Sequence, residues 1–535
     1  MQNFDPSALS EDILPTTATV LARRTDGDRP KIVGEQENRR LLRQRFPAEI
    51  KARFDTQFTT DDNRRHWALS DGMSIDAQAS WMVRRILRMR CRYEYHNNPY
   101  FSGAANRLAR FVIGPTGPRL HVALGNGLAA KKLGRQIENS FSAWSKQIRL
   151  ARKLRTSRAS RFYNGEGFLL LRTNPNVRHR VKLDVFEVEC DQVSSPLFGM
   201  YPANYPDQFF DGVVLDPWGN PEVYHILRQH PGAFGAFVIM GYEFEQWPAK
   251  YVIHDYGALR PGQQRGIGEA VPALDLYADL RRFRKAVCKA AEAAARFPMA
   301  VKTQGPADIN SDQSQWNKPD TYEVGDVQLT VLPDGTDLAG VKAEQPTTTH
   351  DAFSMSLLTE IGQVIDMPLF ILSGDARLAN MASAYIASEP FVNFVSTDRA
   401  ENYELHCDRI LGEFIPEAIL CGELPRDTPQ EFEHTWRWSR VRNHADPAKM
   451  AAAQAQRLDS GTTSIPHEAA LDGNDWEEMQ ESDAKSLGMT IVEYRAALRQ
   501  KRFAIRGQPS PATVDPEPAD PKDGPGDPID DNENE

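Results

Sequence analysis

A chain of 535 residues that is 41% hydrophobic and 25% charged has the composition of an ordinary globular protein and the length of about two to four domains. No apolar run approaches the roughly 18 residues a membrane span needs, and the polar start at Met1 lacks the charged-then-apolar pattern of a signal sequence, so no membrane is expected and a cytoplasm is the expected site of synthesis. Of the net charge of −10, −8 falls between Asp515 and Glu535, where nine acidic residues face Lys522 alone; the body is nearly neutral, which excludes nucleic-acid avidity driven by bulk charge.

The first 60 or so residues are polar, with Arg39, Arg40, Arg43 and Arg45 in a short helix whose simplest reading is a solvated face. From Ser74 to Arg92 a helical pattern sets Trp81, Ile86 and Leu87 among Arg84, Arg85, Arg88, Arg90 and Arg92. It reads as an amphipathic surface helix able to meet phosphate or acidic neighbours. Asn97 and Asn98 then offer a cap and Pro99 a first turn for a helix that should end near Gly114. A helix pair over 129–163 carries Phe141, Trp144, Ile148 and Leu154 beside six basic residues from Arg149 to Arg161. Beyond Asn164 the period shortens to that of strands: GEGFLLLRT, VKLDVFEVEC, DGVVLDPWGNPEVYHIL and KYVIHDYGAL. DPWGN supplies a turn, so 211–227 reads as a hairpin inside an α+β region.

The longest helical pattern follows, from Glu269 to Arg296. Ala273, Leu276, Tyr277, Leu280, Phe283, Val287, Ala290, Ala294 and Phe297 fall on one stripe, and Arg281, Arg282, Lys285, Lys289 and Arg296 on the other. At 1.5 Å per residue the helix would be about 40 Å long. Its alanine-rich end suits close packing against copies of itself, and Pro272 and Pro298 mark its ends. Residues 299–345 are again strand-like, with VQLTVLPDGTDL the clearest piece. A return helix begins at Thr348 or Thr349 and stops before Pro368; a long helical region from Leu378 to Cys421 should kink at Pro390. The stretch 446–498 is helical with loops, and from Gln508 the composition predicts disorder. The five cysteines (Cys91, Cys190, Cys288, Cys407, Cys421) are scattered and read as free, mostly buried thiols.

Motifs for catalysis are missing: no P-loop, zinc spacing, GxSxG or HExxH occurs. Gly266 and Gly268 in RGIGEA are a fragment of a dinucleotide fingerprint and read as a flexible lead into the long helix. Glu187, Glu189 and Asp191 would share one face of a strand, with Asp184 on the other, which leaves a metal-dependent nuclease or hydrolase as the alternative reading. His254 beside Asp255 reads as a structural histidine, since adjacent strand residues face apart. No cofactor, metal or catalytic residue is assigned, and the chain is not expected to be an enzyme.

The order of these segments resembles that of lambda-type phage portal proteins, from about Arg88 to Gly488. The resemblance is carried by Asn97 to Gly114, Trp144, NGEGFLLL (Asn164 to Leu171), FEVECDQVSSP (Phe186 to Pro196), Asp211 to Ile226 and, most specifically, VIHDYGALRPGQQRGIG (Val252 to Gly268). It continues through LPDG (Leu332 to Gly335), MPLFILSGD (Met367 to Asp375), Trp438, DPAK, SGTTS and LDGNDWEE. One departure is ANMASAYIASEP, which keeps Ser383, Ala384 and Glu389 without the arginine usual to the family. The resemblance implies an α+β, mostly helical portal fold: an N-terminal extension (1–73), a β-rich wing (74–260), a two-helix stem (261–298 and 347–368) and a small α/β clip (299–346). A wing return with tunnel loop and kinked helix (369–445), a helical crown (446–507) and an acidic, Pro-rich tail (508–535) complete it.

The function implied is a homo-oligomeric ring of roughly twelve copies at one capsid vertex of the virion, assembled in the host bacterial cytoplasm, since a head-to-tail interface closes at a fixed rotation. Double-stranded DNA would pass through without sequence specificity. The implied partners are the large terminase subunit, major capsid and scaffold proteins, and head-tail adaptor proteins. On this reading Arg281, Arg282, Lys285 and Lys289 meet DNA or a neighbouring subunit, and Ser373, Gly374, Asp375, Ala376 and Arg377 form the tunnel loop. Leu280, Phe283, Val287, Ala290 and Ala294 pack between copies, so Leu280→Asp should block assembly while leaving the wing folded. A plain interaction scaffold without a channel is the third reading.

Overall fold

The computed structural model describes residues 65–66, 68, 70–125, 127–194, 209–233, 244–296, 321–324, 327–330, 349–375, 377, 380–441, 447–472, 474 and 476–506. The chain divides into two units, Met1–Met73 and Ser74–Glu535, and the secondary structure given below belongs to the second. The arginine-rich stretch near residue 40, Pro298, LPDG and the acidic tail all lie outside the described residues.

Where one helix was expected from Ser74, there are two. Helix α1 (Ile75–Gln78) is capped by the Ser74 hydroxyl, which accepts from the Ala77 N–H, and α2 runs over Trp81–Asn97. The break has a cause: the Arg84 guanidinium donates to the Ala79 carbonyl, the acceptor a continuous helix would offer to Val83. Helix α3 (Pro99–Ile113) matches its expected bounds, with Asn98 Oδ1 accepting from the Tyr100 N–H at 3.1 Å and Gly114 leaving the helix at φ 76°. Helices α4 (Leu128–Gln147) and α5 (Leu150–Asn164) follow, joined through Arg149 at φ 56°.

The strands form small antiparallel sheets, as the short alternating runs predict. Strand β1 (Arg119–Ala123) pairs with β11 (Glu433–Arg437), far along the chain. Strand β2 (Glu166–Thr173) is the centre of a three-stranded sheet, flanked by β3 (Leu183–Val188), with Phe168 opposite Val188, and by β8 (Val252–Tyr256), with Phe168 opposite His254. Strands β4 (Phe209–Phe210), β5 (Val213–Leu215), β6 (Pro221–Leu227) and β7 (Phe244–Pro248) make a four-stranded meander. The expected DPWGN turn is there: Asp216 Oδ1 accepts from the N–H groups of Trp218 and Asn220, each at 2.8 Å. Phe168, Leu170, Cys190, Val213, Tyr224, Ile226 and Val252 join these two sheets in a satellite core. The main core gathers Phe101, Leu108, Ile137, Trp144, Leu154, Phe162, Ile410 and Phe414 from α3, α4, α5 and the helix over Glu404–Leu420. Each large side chain buried there contributes roughly 1.5–3 kcal/mol.

The long helix α6 runs over Leu274–Arg296, five residues later than expected, after a 3₁₀ turn at Val271–Ala273. Glu269 is held by Arg158 and Arg161, and the Ala270 N–H donates to the Phe162 carbonyl at 3.1 Å, so the chain is tied down before it can turn. The expected strand excursion is represented by β9 (Thr321–Val324) and β10 (Val327–Thr330), an antiparallel pair. Helix α7 (Thr349–Gln363) returns, followed by α8 (Leu369–Ser373).

Pro390 does not interrupt its helix: α9 spans Met381–Asp398 with Pro390 inside. The irregularity comes later, in a π turn at Arg399–Tyr403 that leads into α10 (Glu404–Leu420). Two buried anchors fall within that turn. Arg399 donates to the carbonyls of Phe111, Val112 and Ser439, and the Tyr403 hydroxyl donates to Asp255 at 2.7 Å; the extra residue in the turn accompanies both anchors. Helices α11 (Pro447–Ser460), α12 (Ile465–Leu471), α13 (Trp476–Ser486) and α14 (Ile491–Arg506) end the described chain. All five cysteines are free, with Cys91, Cys190 and Cys407 buried and Cys288 and Cys421 exposed.

Candidate functional site

The sequence runs that carried the resemblance converge on a buried network of charges. Glu166, at the start of β2, is fully buried. Its carboxylate accepts from Arg88 of α2, from Arg265 Nε at 3.0 Å, from His254 Nε2 at 3.0 Å and from the Gly266 N–H at 2.9 Å. Arg265 also donates to the carbonyls of Val193 and Asp211, and Arg84 pairs with the Asp211 carboxylate. Burial alone would raise the Glu166 pKa, but Arg265 and Arg88 outweigh it and hold it well below the usual carboxylate range. Burial, aided by Arg265, lowers Arg84 to about 10.

A glycine contact makes this approach possible. Gly165 adopts φ 95°, and a Cβ on Gly266 would lie 2.1 Å from the Gly165 carbonyl oxygen. RGIGEA is therefore a close backbone crossing: it leads toward the long helix, but where a flexible lead was expected it is largely buried and held by Glu166.

A second cluster adjoins α5. Arg158 donates to Asp398 at 2.6 Å and to Glu269 at 2.9 Å; Arg161 reaches Asp398 at 2.9 Å and Glu269 at 2.9 Å. Asp255 accepts from Ser157 at 2.9 Å and from Tyr403. The spacing of the six basic residues from Arg149 to Arg161 fits a helix exposed along one side, yet Arg158 and Arg161 are buried. The available signal was that α5 mixes basic and apolar residues round its circumference with no clean polar face; only Arg152 and Thr156 within 151–160 are exposed. His254 is structural as expected: burial lowers its pKa, and Tyr224 and Glu166 flank its ring.

Helix α6 stands on this base. Tyr277 and Leu280 are buried in the protomer's own core, so Leu280 is not available to a neighbouring copy, contrary to expectation. Arg281 is likewise engaged internally, with Nη2 2.7 Å from Glu94 and the guanidinium 5.1 Å from the Tyr93 ring centre. Phe283 stacks on His350 at 5.2 Å and meets Phe353 edge-on at 4.9 Å, which joins α6 to α7. Val287 and Ala290 are half-buried, and Arg282, Lys285 and Lys289 are exposed, Arg282 lying 3.6 Å from Asp279. The side chain of Ala294 lies outside the described residues.

At the end of α8, Arg107 of α3 donates to the Ile371 carbonyl at 2.9 Å and to that of Leu372. Gly374 follows at φ 76°, and the Ser373 hydroxyl accepts from the Asp375 N–H at 3.1 Å. Asp375 then holds the Arg377 guanidinium at 2.6 Å, with Asp351 of α7 3.6 Å away. Ala376 lies outside the described residues.

The acidic strand does not form the metal site considered above. Strand β3 ends at Val188, so Glu187 and Asp191 do not share a strand face. Glu189, Asp191 and His230 bring ligand atoms within 4.8 Å of one another, but Arg92 reaches Asp191 at 2.6 Å and Arg88 at 3.3 Å, and that positive charge opposes a cation. Asp184 is taken by Lys153.

Among solved structures, the chain is similar to the neck of an empty GTA particle computed with C6 symmetry (12% identity, 72% of this chain and 92% of that chain, TM-score 0.34). It is also similar to a chain of the virion of a native gene transfer agent particle (13% identity, 78% and 99%, TM-score 0.32). No curated protein matches it. The family model described as phage portal protein, lambda family, matches residues 62–399, a span that holds the whole buried charge network, α6 and the Arg107-clamped turn. The chain thus belongs to the lambda family of phage portal proteins, structural components of the virion's head-tail connector.

Proposed function

We propose that copies of this chain close into a ring through which double-stranded DNA is packaged and later ejected, with α6 and α7 as its stem. The supporting observation is the division of α6 along its length. As far as Arg281 it is locked into the core through Tyr277, Leu280 and the Arg281–Glu94 pair, and beyond that point it carries Arg282, Lys285 and Lys289 exposed. Exposed cations on a helix offer weak phosphate contacts without sequence preference, which suit a duplex that must slide. The turn at Ser373 to Arg377 is the tunnel loop on this reading. The β9–β10 excursion is the clip, available to a terminase motor and then to head-tail adaptors, and α11 to α14 are the crown.

Mass measurement and electron microscopy of the purified full chain test the reading. A closed oligomer with a central hole wide enough for a duplex is expected. A single protomer under every assembly condition, with no annulus, overturns it. Lys285→Glu with Lys289→Glu should leave the ring intact but lower packaged DNA per particle at least tenfold; normal packaging would remove these residues from the channel.

A further inference from the structure

The near-neutral body hides a lopsided stretch. Between Tyr95 and Gly165 there are thirteen lysines and arginines and one acid, Glu138. Four of these cations find carboxylates: Arg135 on Glu477 and Glu481, Lys153 on Asp184, and Arg158 and Arg161 on Asp398 and Glu269. The other nine make no ion pair among the described residues.

Four of the nine gather where α3 ends against α5. Arg155 Nη1 donates to the carbonyls of Gly114 and Pro115, at 2.9 and 3.2 Å, and a Cβ on Gly117 would lie 2.9 Å from that of Ala151. Arg110, in the last turn of α3, is close enough that its charge adds to burial in lowering the Arg155 pKa. Arg152 stands one turn before Arg155, and Arg149 fills the joint that precedes the helix; both are exposed, as is Arg110. Arg149 holds φ 56° there, a left-handed conformation that glycine adopts at less cost. Like charges one turn apart repel, and the acids of the adjoining elements are committed elsewhere: Asp184 to Lys153, Glu138 to His121 and the Val122 N–H, and Asp472 to Arg440.

The chain carries the matching charge at its end, where nine acids between Asp515 and Glu535 face Lys522 alone. The point from which this tail departs is fixed close by. Helix α14 is held to α13 by Arg495 on Gln480 and by Tyr494 on Asp483, each at 2.9 Å, and α13 is held to α4 by Arg135. From Arg135 to Arg149 is about 20 Å of helix, and the length of α14 adds about 24 Å. The 29 residues beyond Arg506 span up to about 95 Å when extended, so the acids reach the arginines with chain to spare. Nucleic-acid phosphates have the same sign, but the tail is tethered, at an effective concentration on the order of millimolar.

We propose that the acidic tail from Asp515 to Glu535 lies against Arg110, Arg149, Arg152 and Arg155 of its own chain and withholds these arginines from nucleic-acid phosphate. The contact is ionic and needs no fixed tail conformation. It stands whether or not the chain closes into a ring, because patch and tail belong to one protomer.

A chain ending at Val514 and a fluorescent peptide of residues 515–535 test it. The peptide should bind this shortened chain, and roughly tenfold or more of the affinity should go as salt rises from about 50 to about 200 mM. A similar loss should follow when Arg110→Glu, Arg149→Glu and Arg152→Glu are combined, with the thermal midpoint unmoved because all three side chains are exposed. A labelled DNA duplex of about 20 base pairs should bind the shortened chain roughly tenfold more tightly than the full-length chain at the lower salt, and the three reversals should abolish that gain. Full-length chain with its nine tail acids changed to the matching amides should bind the duplex as the shortened chain does. A peptide that does not bind, binding indifferent to the reversals, a duplex gain that survives them, or a duplex held equally by full-length and shortened chains would each overturn the proposal.

Discussion

Glu166 has no contact with solvent and accepts from two guanidinium groups, an imidazole and a backbone N–H. Removing one side of such a pair leaves a buried charge uncompensated, which costs about 3–5 kcal/mol. Arg265→Met should therefore destabilise the protomer by that amount, read as a shift in the denaturant midpoint; a change under about 1 kcal/mol would mean that water reaches the site. Acid should act on the same group. Its folded pKa lies well below the ordinary 4.5, so its stabilising contribution is complete above 4.5 and is lost as pH falls toward the folded value. The stability gap between wild type and Glu166→Gln should thus be widest at neutral pH and narrow below 4.5. His254 adds an earlier step: burial depresses its pKa below 6.5, so stability declines as pH drops through 6.5, where the unfolded chain takes up the proton first. Neither partnership could be read from sequence. Glu166 and Arg265 stand 99 residues apart, and spacing cannot say which arginine turns inward.

Helices were the most legible elements where local chemistry sets their ends. Asn98 and Gly114 bound α3 because a side-chain cap and a positive-φ exit are local devices. The start of α6 differs because Glu269 answers to Arg158 and Arg161 on another helix, and the interruption expected at Pro390 lies instead at Arg399–Tyr403, where the tertiary anchors Arg399 and Tyr403 sit. Leu280→Asp is the informative variant of α6. Leu280 is 1% exposed inside the protomer, so an aspartate there should cost more than about 3 kcal/mol through lost packing and a desolvated charge. It should lower the thermal midpoint of the protomer itself; a folded protomer that merely fails to assemble would restore the original expectation. Gly374→Val should be costly too, by about 1–2 kcal/mol, since its φ of 76° is left-handed and a Cβ would meet Arg107 Nη2 at 3.2 Å. Lower ring yield without a change in the fold of α8 is the expected readout.

For the assembled particle, composition said little and segment order said much: the near-neutral body excludes bulk nucleic-acid attraction, and the collinear runs pointed to the family. The burial of Arg84 and Arg88 in α2 was missed because its arginines and methionines alternate at spacings that suit either orientation of the helix. Deleting 515–535, which changes the net charge from −10 to −2, should leave ring formation intact by mass measurement; loss of rings would give the tail a structural role. The buried charge network also constrains how the chain matures. Arg158 and its partner Asp398 lie 240 residues apart, and a ribosome adding about 5–20 residues per second needs on the order of 10 to 50 s to cover that distance. For the last 129 residues of that interval Arg158 has Glu269 as a counter-ion but still lacks Asp398. The cluster is therefore completed late in translation, and chaperone occupancy of stalled nascent chains should fall once the segment holding Asp398 has left the ribosome.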